Sequence, residues 1–332
     1  MLALVLLSFC LQQEPEWAYT QGLKAFVSRH KEQKSPDELY TLGESHFNKK
    51  EHEAAALIFQ AIADQLPSEF APLREKASFS LARTLYEAGD FAASYRAFEN
   101  FLGRVPDSDL AGGVYGARYF LFMSAYLLAV KGAPEKVLGV SVGTSSKSGL
   151  ELLRAALTRF PREPFTDNFY LALGQFLLDK GRLDEAEVEF KTILTPGQYE
   201  KTDSAPRAQL LLATIFLKRF DGLDYDVKTL ADAKREYEKF LSSYTRAKGD
   251  ARALGDLGLD DDVLQKMLDE AANGIAWINE KLAEREWNLS EWYLWKGKPN
   301  AARIYLNSIR NNFPRTTWAK KAADKLVELE KK

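Results

Sequence analysis

Residues 39–67 read LYTLGESHFNKKEHEAAALIFQAIADQLP, and this stretch decides the fold. Leu39, Leu42-Gly43 and His46 fall at helical spacing, the polar run Lys49 to Glu53 interrupts them, and a second helical run carries Ala55 and Phe59 before Pro67. Small residues let two helices approach and large ones fill the space between successive pairs. A proline, which lacks the N–H and clashes with the preceding turn, ends the second helix. The unit expected here is a hairpin of two helices.

The same order recurs along the chain. Leu81-Ala82, Leu85, Ser94, Phe98 and Pro106 form a second copy, with Gly89-Asp90 as the turn. Ala117 to Lys131 reads as a densely apolar helix, Gly132 to Gly149 as a loop rich in Gly and Ser, and Leu150 to Phe160 as the returning helix. A fourth copy carries Tyr170, Leu173-Gly174, Leu177, the turn Lys180-Gly181-Arg182, then Ala186, Phe190 and Pro196. The fifth has helices from Pro206 to Phe220 and Val227 to Tyr244. A polar stretch, Lys248 to Asp262, leads to a long helix, Val263 to Trp295, broken by Lys296-Gly297-Lys298-Pro299. Asn300 to Asn312 follows, and then a terminal helix, Thr317 to Leu329, with Trp318, Ala322 and Leu326 on one side and lysines on the other. This spacing resembles the tetratricopeptide pattern. The resemblance implies an all-α, tetratricopeptide-like helical-hairpin solenoid of about six helix pairs plus a C-terminal capping helix.

Bulk properties are ordinary for a folded soluble protein. The 332 residues carry 45 Lys+Arg against 47 Asp+Glu, a net charge of -2, which gives no footprint for nucleic acid. The histidines His30, His46 and His52 and the single cysteine, Cys10, have no metal-ligand spacing. No phosphate loop, HExxH or GxSxG is present. The expectation is a non-enzyme with no cofactor, no metal and no small-molecule substrate.

Residues 1–13 stand apart. Leu2 to Leu11 is almost wholly apolar, too short to span a bilayer as a helix and the right length for a signal-peptide core. Leu7-Ser8-Phe9-Cys10 resembles a bacterial lipoprotein signal, which makes Cys10 the candidate lipidation site. The other reading is a helix packing Leu4, Leu7 and Leu11 on a neighbour. Residues 14–35 read as an N-terminal helix or linker, 36–247 as the repeats, and 248–332 as a distinct C-terminal repeat.

That last segment carries a sharper resemblance. Leu282-Ala283-Glu284, Tyr293 to Gly297, Ala301 to Tyr305 and Asn312 to Thr316 are similar to the end of the BamD family, the lipoprotein subunit of the bacterial outer-membrane β-barrel assembly machine. Tyr237 to Leu241 resembles that family's preceding repeat. The resemblance implies a periplasmic, lipid-anchored scaffold at the outer membrane whose partners are barrel-assembly subunits and unfolded outer-membrane proteins. Two other readings remain: an adaptor of another cell-envelope complex, in division or export, or a cytoplasmic adaptor if the N-terminus is not a signal.

Two sets of residues are candidate sites. The inward face of the first helices carries Tyr40, Glu44, Phe47, Asn48, Phe79, Arg83, Tyr86 and Glu87. Arg83 among aromatics suits a client carboxylate, although Phe47, Phe79 and Tyr86 equally suit the core between repeats. Trp287, Trp292, Trp295 and Trp318, with Arg303 and Arg310, suit a partner interface. They equally suit a packed cap and a solvated helix face.

Overall fold

The computed structural model describes residues 16–137, 140–145, 147–199, 202–223 and 226–330. The leader expected over residues 1–13, Cys10 included, lies outside them. The helical hairpins are α1 (Pro36–Asn48) with α2 (His52–Gln65), α3 (Ala71–Glu87) with α4 (Phe91–Arg104), and α5 (Ala117–Lys131) with α6 (Lys147–Arg159). They continue with α7 (Thr166–Asp179) and α8 (Leu183–Ile193), then α9 (Ser204–Arg219) and α10 (Val227–Tyr244). After the short α11 (Ala251–Asp256) come α12 (Asp261–Trp295), α13 (Pro299–Asn312) and the terminal α14 (Thr317–Glu330). The fold is an all-α helical repeat, with six hairpins and a closing helix among the described residues.

The start of α1 shows how local chemistry sets an element. Ser35 Oγ accepts from the Glu38 N–H, and the Glu38 carboxylate accepts from the Ser35 N–H at 2.8 Å. That capping box satisfies two N–H groups the helix cannot. Hydrogen bonds from the Ser35 backbone and side chain hold the Glu38 carboxyl below its usual range.

The Leu-Gly pairs of the sequence have a steric cause. A Cβ on Gly43 would sit 2.8 Å from the Phe59 ring, and one on Gly174 would sit 2.4 Å from the Phe190 ring. Each aromatic of a second helix therefore occupies the space a first-helix side chain would need. The third hairpin is tighter still: a Cβ on Gly149 would lie 2.2 Å from the backbone nitrogen of Ala129.

The helices fall into two compact units, Met1–Phe169 and Tyr170–Lys332. In the first, Leu39, Ile58, Ile62 and Leu66 pack with Trp17 and Phe26. Farther along it an aromatic cluster forms, in which Phe98 stacks on Phe120 at 5.5 Å and meets Phe79 edge-on at 5.7 Å. In the second, the long α12 serves two cores. Leu264, Met267, Leu268 and Ala271 pack with residues of α9 and α10. Ala283 joins Leu306 and Ile309 of α13 and Ala322 and Leu326 of α14. The Glu280 carboxylate accepts from both the N–H and the hydroxyl of Thr317, at 2.7 and 2.9 Å, and so anchors the first turn of α14.

Three stretches differ from the sequence reading. Residues 14–35, expected as helix or linker, hold an antiparallel sheet of β1 (Trp17–Thr20), β2 (Ala25–Ser28) and β3 (Gln33–Lys34). The runs are too short for a helical face, and the Gln65 side chain bonds the backbone of Trp17 and Tyr19, giving the edge strand partners from α2. The segment 132–149, expected as loop, holds the hairpin of β4 (Ala133–Val137) and β5 (Val140–Ser145), with a register shift at Glu135/Lys136, and α6 begins at Lys147. Val137, Val140 and Val142 supply the β-branched residues that the Gly and Ser content masked. The polar stretch after α10 holds α11, with Leu254 and Leu259 buried against the α12 core.

Candidate functional site

The first helices of the first two hairpins bring part of the expected groove together. Glu44, Phe47 and Asn48 from α1 and Ser80 and Arg83 from α3 surround a cleft of about 170 Å³, with Phe59 at its base. Tyr40 borders it: its hydroxyl lies 3.0 Å from Ser80 Oγ and its ring 5.4 Å from Phe59. Burial pushes the Tyr40 phenol above its usual pKa, so it stays a neutral hydrogen-bonding group.

Arg83 is exposed, and its guanidinium lies 5.2 Å above the Phe47 ring. Among the described residues no carboxylate or carbonyl bonds to it. A planar cation held on an aromatic face keeps its forked N–H groups free for a carboxylate.

Tyr86 and Phe79 belong elsewhere. Tyr86 packs 5.1 Å from Phe120 and 5.7 Å from Phe91, and burial raises its pKa. Phe79 meets Phe98, Phe101 and Phe120. Both are half-buried against the aromatic cluster of the second hairpin.

The C-terminal set also divides. Trp287 and Trp318 pair at 5.7 Å and pack on the α13–α14 core. Arg303 donates to Asn300 and to the Leu329 carbonyl, which ties the end of α14 to α13. These three are cap residues. Trp292 is 49% exposed and Trp295 76%, with Lys296 over both rings, and Arg310 is exposed. Only this second subset presents itself to solvent.

A larger groove, about 850 Å³, lies on a different face of α3, between α2 and α4. Sequence reasoning missed it. The one signal was Leu57, an apolar residue on the outer face of α2, which is 54% exposed. Among the described residues no group of His, Cys, Asp and Glu is placed to hold a metal ion.

The tetratricopeptide repeat family matches residues 146–206, from the start of α6 into α9. That segment resembles a tetratricopeptide repeat. Repeats of this kind generally mediate contacts between proteins. No curated protein matches the chain in sequence. Among solved structures, a tetratricopeptide repeat protein from Parabacteroides merdae is 14% identical, over 90% of this chain and 99% of its own, with a TM-score of 0.37.

Proposed function

We propose that the protein is a non-catalytic scaffold that binds an extended polypeptide through the α1–α3 cleft, with Arg83 receiving a C-terminal carboxylate. The observation that carries this reading is the unpaired Arg83 guanidinium on the Phe47 ring. Glu44 and Asn48 beside it offer acceptors and a donor for the backbone of the bound chain.

The finer reading is a role like that of BamD: holding outer-membrane proteins for insertion as β-barrels, at the periplasmic face of the outer membrane and anchored through Cys10. It is supported by the Leu282 to Leu326 resemblance and by the exposed Trp292 and Arg310, which suit assembly partners.

Titration with a peptide copying the last strand of a β-barrel protein tests the cleft. The free-acid peptide is expected to bind at least about tenfold tighter than its C-terminal amide, and Arg83→Ala to remove that difference, because a charge-assisted bidentate pair contributes about 1.5–3 kcal/mol. Equal affinities for wild type and Arg83→Ala would refute the assignment. Metabolic labelling with a palmitate analogue tests the anchor. Label that disappears in Cys10→Ser supports it, and an unlabelled wild type removes it.

A further inference from the structure

The larger groove has two walls of opposite charge and a floor that is apolar toward its middle, with Arg74 and Glu75 at one end held by the Ala63 carbonyl and the Ser108 hydroxyl. The floor is α3, with Leu81 and Leu85 at its centre and Ser78 beside them. One wall is α2, whose rim carries Glu53, Leu57, Gln60 and Asp64, all exposed and at helical spacing. The other is α4, whose rim carries Arg96, Asn100 and Arg104. Glu53 and Asp64 therefore face Arg96 and Arg104 across the floor. None of these four charges makes an ion pair among the described residues, and Arg96 only reaches the Ala92 carbonyl of its own helix. Facing walls of opposite sign would pair if the cleft were narrow; its width holds them apart.

We propose that this groove docks one amphipathic α-helix of a partner protein, whose apolar stripe is flanked by Lys/Arg on one side and Asp/Glu on the other. The basic flank meets the α2 wall and the acidic flank meets the α4 wall, so the difference in sign also fixes which way the helix runs. Over the middle of the floor Leu81 and Leu85 offer no hydrogen-bonding group, so an extended peptide there would bury N–H and C=O groups with no partner, whereas a helix satisfies its own; the α1–α3 cleft differs in having Glu44 and Asn48 to bond an extended backbone. Ala56, Ala93 and Ala97 along the inner sides of the walls leave room for a helix backbone to approach. The 17 residues of α3 give the floor a length of about 25 Å, near five helical turns. This site shares no residue with the Arg83 cleft, and its test stands apart from that reading.

Three synthetic peptides of one length, each about 18 residues to match the floor, decide the proposal when titrated against the full chain by fluorescence anisotropy. The first carries a leucine stripe with a lysine column on one flank and a glutamate column on the other. The second keeps the stripe but mixes the charges on both flanks. The third is the first with two central residues exchanged for proline.

The first is expected to bind at least about tenfold tighter than the other two. Leu57→Asp, at an exposed position, should weaken it about tenfold, a typical cost for a central apolar anchor, and Arg83→Ala should leave it unchanged. Glu53→Lys with Asp64→Lys makes both walls basic and should shift the preference to a peptide with glutamate in both columns. The proposal is overturned if none of the peptides binds, if the mixed-charge peptide binds as well, or if the proline peptide binds as well, since that points to an extended occupant. It is also overturned if the wild type is a dimer that Leu57→Asp makes monomeric, which would assign the groove to a second copy.

Discussion

Gly149→Ala is expected to destabilise the first unit by about 3 kcal/mol, the upper part of the range for forcing extra volume into a packed interior. A Cβ there would lie 2.2 Å from Ala129 N and 2.4 Å from Leu128 C, so it meets the backbone of α5 and not a side chain that can turn away. The added methyl must push α6 off α5, and both helices bury residues along that contact, including Leu128, Ala129, Leu150 and Leu153. Gly174→Ala makes the comparison: its new Cβ would meet only the Phe190 ring, which can tilt. Hydrogen exchange read by mass spectrometry should show faster opening in α5 and α6 for Gly149→Ala and a smaller change in α7 and α8 for Gly174→Ala. A Gly149→Ala protein with wild-type protection would mean that the two helices are not in this close contact.

Phe98→Ala is expected to cost about 3–5 kcal/mol, the range for removing a fully buried aromatic ring. Phe98 is 0% exposed. It stacks on Phe120 with an interplanar angle of 7° and receives the edge of Phe79. Loss of the ring leaves those two aromatics facing a void too apolar to hold water. Phe98→Leu keeps most of the volume and should cost less than half as much. The urea midpoint for each variant reads the difference, with an unchanged slope as the sign that the denatured state is not what moved. Equal midpoints for Phe98→Ala and wild type would exclude this cluster as the core of the second hairpin.

The hairpins were legible in the sequence because their signal is local. Leu39, Gly43 and Phe59 are spaced by helix geometry, so the chain itself states which residues meet. The N-terminal sheet is not legible, because its strands are only two to four residues long and the outer edge of β1 is satisfied by Gln65, over forty positions away. Gly149 falls at the end of the loop expected over residues 132–149, since nothing near it in sequence announces the Ala129 backbone against which it packs. The candidate groove was half legible. Glu44, Phe47 and Arg83 project together as the spacing expected, while Tyr86 turned into the aromatic cluster because Phe91 and Phe120 stand close enough to bury it. Arg303 and Arg310 share a helix face by spacing, yet the end of α14 draws Arg303 into a carbonyl contact that the sequence of α13 could not reveal. The wide groove over α3 was invisible for the same reason: the separation of two helices is a tertiary quantity, and Leu57 on the outside of α2 was its only trace.

Hydrogen exchange of the full chain with and without the free-acid barrel-strand peptide tests the central claim most directly. The expected result is added protection in residues 40–48 and 79–87, the faces of α1 and α3 that carry Glu44, Phe47 and Arg83, and none of it with the amidated peptide. Protection confined to residues 287–318, or no protection at all, would contradict it.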